Sequence, residues 1–222
     1  MEFRYEMHQH TSLCSACGGD EPEPIIESLH SAGFQGTVIT EHFYHGNTRI
    51  DRNLTWEEFC SAYEECYIRA KKAAEKYDMD VLFGFEEAIP EYWQEVLVYG
   101  ITPDMLYGHP ELRDGSLEVL SQVVRSSGGL LIQAHPFRGD LALPVLPPEY
   151  LDGYEVWNAC TYKERNEMAM IYSAPMIKIS TAGSDSHNDR PKHRSYIVTG
   201  ERIRTESELV SVLRARKYRL EI

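Results

Sequence analysis

Residues 3–11 read Phe3-Arg4-Tyr5-Glu6-Met7-His8-Gln9-His10-Thr11, and this stretch decides the fold. Phe3–Met7 is a short run of strand-forming types, and two imidazoles, His8 and His10, follow it directly. The arrangement recurs down the chain. Thr37–Thr40 runs into Glu41 and His42, Met79–Gly84 into Glu86 and Glu87, Leu130–Gln133 into His135, and Ile177–Ala182 into Asp185 and His187. Further strands are expected at Glu95–Tyr99, Tyr154–Trp157 and Tyr196–Thr199. Amphipathic stretches lie between them: Pro22–Ala32 with Gly33 as its stop, Thr55–Tyr77, Leu117–Arg125, Thr161–Tyr172 and Thr205–Arg216. Thr55-x-x-Glu58 and Thr205-x-x-Glu208 are capping boxes at two helix starts. The alternation predicts an α/β fold, and with no convincing linker the whole of 1–222 reads as one domain.

Each motif alone has a plain reading. His8-x-His10 fits two exposed rings, Glu86-Glu87 a solvated pair, Ala134-His135-Pro136 a turn, and Gly183-Ser184-Asp185-Ser186-His187 a polar loop. Repetition at strand ends is what tells against chance. In a closed parallel barrel those ends converge on one rim, where such folds build their sites. Imidazole mixed with carboxylate suits divalent Zn, Mn or Fe, and a carboxylate can bridge two ions where an imidazole cannot.

Composition narrows the function. With 22 Lys+Arg against 35 Asp+Glu the net charge is −13, which excludes a surface that holds polyanions by bulk charge. The 42% apolar and 26% charged content is that of a globular chain. No run of about 18 apolar residues is present, so no membrane contact is expected. Met1-Glu2-Phe3-Arg4-Tyr5 lacks a signal pattern, which makes a cytoplasmic location the expectation. Five cysteines are an odd number in a chain of 222 residues, and no disulfide framework is expected. Cys14-Ser15-Ala16-Cys17 has the gap of a zinc knuckle, but without a second matching pair it reads as a packing or loop feature.

Taken together, His8-x-His10-Thr11, Thr40-Glu41-His42, Gly84-x-Glu86, Ala134-His135-Pro136 and Gly183-Ser184-Asp185-Ser186-His187 resemble, in order and spacing, the PHP (polymerase and histidinol phosphatase) family. The resemblance runs from residue 5 to about residue 216, and His10-Thr11-Ser12-Leu13-Cys14 with Thr40-Glu41-His42 is most similar to the histidinol-phosphatase-like branch. It implies a distorted seven-stranded (β/α) TIM-like barrel with two to three divalent metal ions. By position, it implies that His8, His10, Glu86 and Asp185 hold one ion. Glu86 then bridges to a second that also uses His135, and His42 and His187 serve a third. Two departures stand out. Ser15 occupies the place of a usual acidic residue, which leaves the third ion weak, absent or differently held. Glu95 is the nearest match to a usual histidine, and either replaces that ligand or faces solvent.

The expected activity is hydrolysis of a small phosphorylated substrate by a hydroxide held at the metals, with His187 or His42 protonating the leaving oxygen. Arg138, Arg190, Lys192 and Arg194 follow the His135 and His187 motifs and are the expected substrate-binding cations. Alternatives are a nuclease or phosphodiesterase acting on short oligonucleotides or nucleotides, hydrolysis of a C–N or carboxylic ester bond, and a non-catalytic metal-binding domain.

Overall fold

Strand and helix alternate along most of the chain, as the apolar runs imply. A computed structural model describes residues 1–141, 143, 145–188 and 194–222. In order these form β1 (Phe3–Gln9), α1 (Pro22–Ser31), β2 (Gly36–Ile39), α2 (Trp56–Glu75), β3 (Asp80–Ile89), β4 (Gln94–Tyr99), α3 (Pro103–Tyr107) and α4 (Leu117–Ser126). Then follow β5 (Leu130–Gln133), β6 (Gly153–Asn158), α5 (Lys163–Ser173), β7 (Ile179–Gly183), β8 (Tyr196–Thr199), α6 (Glu206–Ala215) and β9 (Tyr218–Glu221).

One sheet runs β7-β6-β5-β4-β3-β2-β1-β8-β9. β1, β2 and β3 pair in parallel, as do β5, β6 and β7, while β4 lies antiparallel between the two sets. This corrects the all-parallel picture. Only four residues, 90–93, join β3 to β4, too few for a parallel crossover, so the chain must turn back as a hairpin. β8 is likewise antiparallel to β1. At the other end of β1, Gln9 bridges Ser186 just past β7, and His10 N donates to Ser186 O at 3.0 Å. The sheet thereby curls into a nearly closed barrel.

Tyr5, Met7, Val38, Leu82, Leu97, Tyr99 and Ile132 fill the barrel below its mouth. Each such side chain contributes about 1.5–3 kcal/mol on full burial. Tyr99 is tolerated there because its hydroxyl donates to Met7 O at 2.8 Å. Outside the sheet, Phe59 and Tyr63 of α2 pack on Phe43, Phe83 and Phe85. The capping boxes form as expected. Thr205 accepts from Glu208 N at 3.2 Å and its own N–H donates to the Glu208 carboxylate at 3.2 Å, which fixes the start of α6 so that Leu209, Val210 and Leu213 pack inward. Thr205→Ala is expected to cost about 1 kcal/mol, read as a lower urea midpoint at unchanged slope.

The cysteine count misleads on one point. Cys14 and Cys66 form a disulfide that ties the loop after β1 to α2, while Cys17, Cys60 and Cys160 are free. The partners are 52 residues apart, and only the packing of α2 against that loop brings them together. No described helix is long and apolar enough to cross a membrane.

Candidate metal centre

The strands deliver their polar residues to one mouth. His8 lies at the end of β1 and His10 just past it; His42 follows β2, His135 follows β5, and Asp185 and His187 follow β7. Side chains alternate along β3, so Glu86 faces this cluster while Glu87 faces away and accepts from His45 Nδ1 at 2.5 Å. Because β4 runs against its neighbours, it begins at the mouth, and Glu95, half-buried, comes within 3.4 Å of His135 Nε2. Four sets of groups each have ligand atoms within 4.8 Å of one another: His8/His10/Asp185, His8/Glu86/His135, His42/Glu86/Glu95 and His10/His42/His187. His135 and Asp185 leave their strands with φ of 26° and 54°. Positive φ is uncommon outside glycine, though Asp and His enter it more readily than most residues, and such backbone gathers at functional sites.

Hydrogen bonding fixes which nitrogen faces inward. His8 Nδ1 donates to the Glu155 carboxylate at 3.0 Å. His10 Nδ1 donates to Ser15 Oγ at 3.0 Å, since that hydroxyl's own proton goes to Glu41 at 2.5 Å. In the neutral rings both Nε2 atoms then carry lone pairs, and they face each other at 3.0 Å. Around them stand Glu86 at 3.3 Å from each and Asp185 at 3.5 and 3.3 Å. Glu86 also lies 3.0 Å from both His42 Nδ1 and His135 Nε2, yet His42 Nδ1 is buried without a well-formed hydrogen bond among the described residues. Lone pairs and carboxylates aimed at a common point suit divalent cations, and the donor set fits them.

Charge tells the same story. Burial alone raises a carboxyl, but His8, His10, His135 and His42 outweigh it at Glu86, and His8, His10 and Arg138 outweigh it at Asp185; both stay well below the usual range. Burial lowers His8, but Asp185, Glu155 and Glu86 raise it well above an ordinary imidazole. His42 is likewise raised to about 10 against the pull of burial, beside Cys17 and Glu86. His187 is lowered to about 4 by burial and by neighbouring His10. Glu95 is raised first by repulsion from Glu86. Positive charge is what the cluster calls for.

Sequence reading missed Glu155. It sits on β6, buried, with one oxygen on His8 Nδ1 and the other accepting from His135 N at 2.9 Å and Asn158 Nδ2 at 2.9 Å. Gly183 makes room for it: a Cβ there would meet His8 Cβ at 2.5 Å and the Glu155 carboxylate at 2.6 Å. Glu155→Gln is expected to weaken metal binding about 10–100-fold, measured by competition with a chelating dye, because the amide holds the His8 tautomer less firmly.

Among the expected substrate cations, Arg138 reaches the cluster. Its Nη2 contacts Asp185 and donates to Asn158 Oδ1 at 2.9 Å, and its Nε donates to Thr161 Oγ1 at 3.1 Å. Arg194 turns toward α1 instead, bonding Ser28 Oγ at 3.0 Å over the Phe34 ring. It also borders an open cavity of about 610 Å³ that adjoins the cluster at Asn158. Arg190 and Lys192 lie outside the described residues.

Solved structures share this architecture. A two-domain protein from Bacteroides vulgatus, described as containing a PHP-like metal-dependent phosphoesterase, superposes with a TM-score of 0.73 at 14% identity, over 100% of this chain and 65% of its own. The shared fold is PHP-like. This chain thus spans less than two thirds of that protein. A Bifidobacterium adolescentis protein named as a metal-dependent phosphoesterase gives 0.59 at 18% identity over 94% and 95% of the two chains. An amidohydrolase from Chromobacterium violaceum, holding sulfate and no metal, gives 0.59 at 14% over 82% and 87%. No family model and no curated protein matches the sequence.

Proposed function

We propose that this chain is a metal-dependent phosphoesterase acting on a small phosphorylated molecule, a histidinol-phosphate-like monoester among the candidates. The observation that carries the reading is the pair of facing Nε2 atoms of His8 and His10, 3.0 Å apart between Glu86 and Asp185. His8, His10, Glu86 and Asp185 would hold one cation, Glu86 and His135 a second, and His42 and His187 a third, with Glu95 grouped beside His42 and Glu86; Zn, Mn and Fe suit these donors. When bound, such ions supply an acidified water and neutralise charge on the phosphoryl oxygens.

The chain's own groups do the rest. Arg138, already facing Asp185 at the mouth, binds the phosphoryl oxygens through its planar fork. With the third position empty, the His42 or His187 ring would deliver a proton to the leaving oxygen; His42, raised to about 10, carries that proton at neutral pH, whereas His187, lowered to about 4, does not. The cavity beside Asn158, Thr161, Lys163 and Arg194 takes the organic part of the substrate. Most of the 35 acids lie elsewhere, so the overall charge of −13 does not oppose an anion here.

The test is turnover by Zn-, Mn- and Fe-loaded protein of a panel, read as phosphate released from monoesters, mononucleotide from dinucleotides and amine from amide substrates. Monoester turnover above the others is expected. Amide cleavage alone would move the assignment to C–N hydrolysis, the chemistry of the amidohydrolase with this fold. Preference for dinucleotides would make it a diesterase. Full metal content with no turnover of any member would sink the enzymatic reading.

A further inference from the structure

His8 is held directly by a carboxylate, Glu155, whereas His10 has the Ser15 hydroxyl in that place. That hydroxyl is not free to turn. Glu41, buried behind it, takes four donors: Thr11 N at 3.0 Å and the Thr11 hydroxyl on one oxygen, Ser15 N at 3.1 Å and Ser15 Oγ at 2.5 Å on the other. A carboxylate only accepts, so the Ser15 proton points at Glu41. The Ser15 lone pairs then accept from His10 Nδ1 at 3.0 Å and from His42 N at 3.1 Å. With its proton and both lone pairs engaged, Ser15 has nothing left for a cation or for attack on a substrate.

We propose that Glu41, acting through Ser15, is a positioning residue that keeps the His10 proton on Nδ1 and its Nε2 lone pair toward the cation position. The same hydroxyl fixes the backbone of His42. The purpose of this relay rests on the metal-centre reading above; its geometry does not. Helix α2 clamps both ends of the relay. Tyr63 Oη donates to Glu41 O at 2.6 Å, and Cys66 ties down Cys14, the residue before Ser15. Arg49 closes a third side, with Nε on Ser15 O at 3.2 Å and its backbone N–H on Cys14 O at 2.6 Å. The relay is thus held by groups outside the cluster, and the ring is oriented before a cation arrives. A carboxylate behind a ligating imidazole fixes its tautomer and raises its basicity; here it does so through one hydroxyl.

Nitrogen-15 NMR of the histidine-labelled full chain tests this, with the His10 signals assigned by their loss in His10→Asn. In metal-free protein at alkaline pH, where the rings are neutral, the wild type should carry the His10 proton on Nδ1. Ser15→Ala and Glu41→Gln should each move it toward Nε2, and each should weaken zinc binding about 10–100-fold in competition with a chelating dye. Because Glu41 acts through Ser15, Glu41→Gln should cost little more once Ser15→Ala is in place. Ser15→Ala removes a single buried oxygen and carries the test should Glu41→Gln fail to fold. A wild-type proton on Nε2, a proton that stays on Nδ1 in the variants, or full additivity in the double variant overturns the relay. A wild type that takes up no zinc, with the proton still on Nδ1, overturns the metal-centre reading and leaves the relay standing.

Discussion

Asp185→Asn is expected to slow phosphate release by at least about 1,000-fold, roughly 4 kcal/mol of barrier, while the protein stays folded. Asp185 lies 3.3 Å from His10 Nε2 and 3.5 Å from His8 Nε2, and it receives Arg138 on its other oxygen. An amide offers one neutral oxygen in place of two anionic ones. It removes a charge from the metal position and releases Arg138 from its anchor at once. The fold survives because Asn tolerates the left-handed backbone that Asp185 adopts. Steady-state rates on the best panel substrate, with circular dichroism and metal analysis, check this; near-native turnover at full metal content would count against the assignment of Asp185.

The second large effect is on stability. Adding a cation to chelator-treated protein at about 100 times its Kd contributes roughly 2.7 kcal/mol. For a chain of this size that is a rise in Tm of about 5–11 °C. The gain should be larger at pH 8 than at pH 6. Burial lowers His10, but Asp185 and Glu86 outweigh it and raise the ring above an ordinary imidazole; His8 is raised further still. In the metal-free protein these rings therefore hold protons up to higher pH, and each proton must leave before a cation enters. Scanning calorimetry at both pH values, with wild type and Asp185→Asn, gives the comparison. An equal gain in the variant would place the cation elsewhere.

Much of this architecture is legible in the sequence, and the reasons differ by element. His8, His10, His42, His135, Asp185 and His187 stand out because a metal-grade side chain directly after an apolar run is a local signal. The capping boxes at Thr55 and Thr205 are equally local. Glu155 is not legible. In Tyr154-Glu155-Val156-Trp157 a lone acid looks like the solvent side of a strand, and only closure of the barrel turns that side toward His8. β9 is hidden for a related reason: Tyr218-Arg219-Leu220-Glu221 becomes a strand by pairing with the edge of β8, 20 or so residues earlier. The direction of β4 follows from the length of its connection, which apolar periodicity does not carry. Ser15 shows the opposite case, a residue correctly marked as unusual whose task, orienting His10 and His42, appears only once three elements meet around it.

Glu155 holds His8 with one oxygen and the backbone of His135 with the other. In the proposed assignment His8 belongs to the first cation position and His135 to the second, and Glu86 touches both rings. An ion that settles at either position immobilises the shared carboxylates for its neighbour. On that assignment loading is expected to be cooperative: in a metal titration the two ions should enter over a narrower range of concentration than independent sites allow, with partly filled protein scarce.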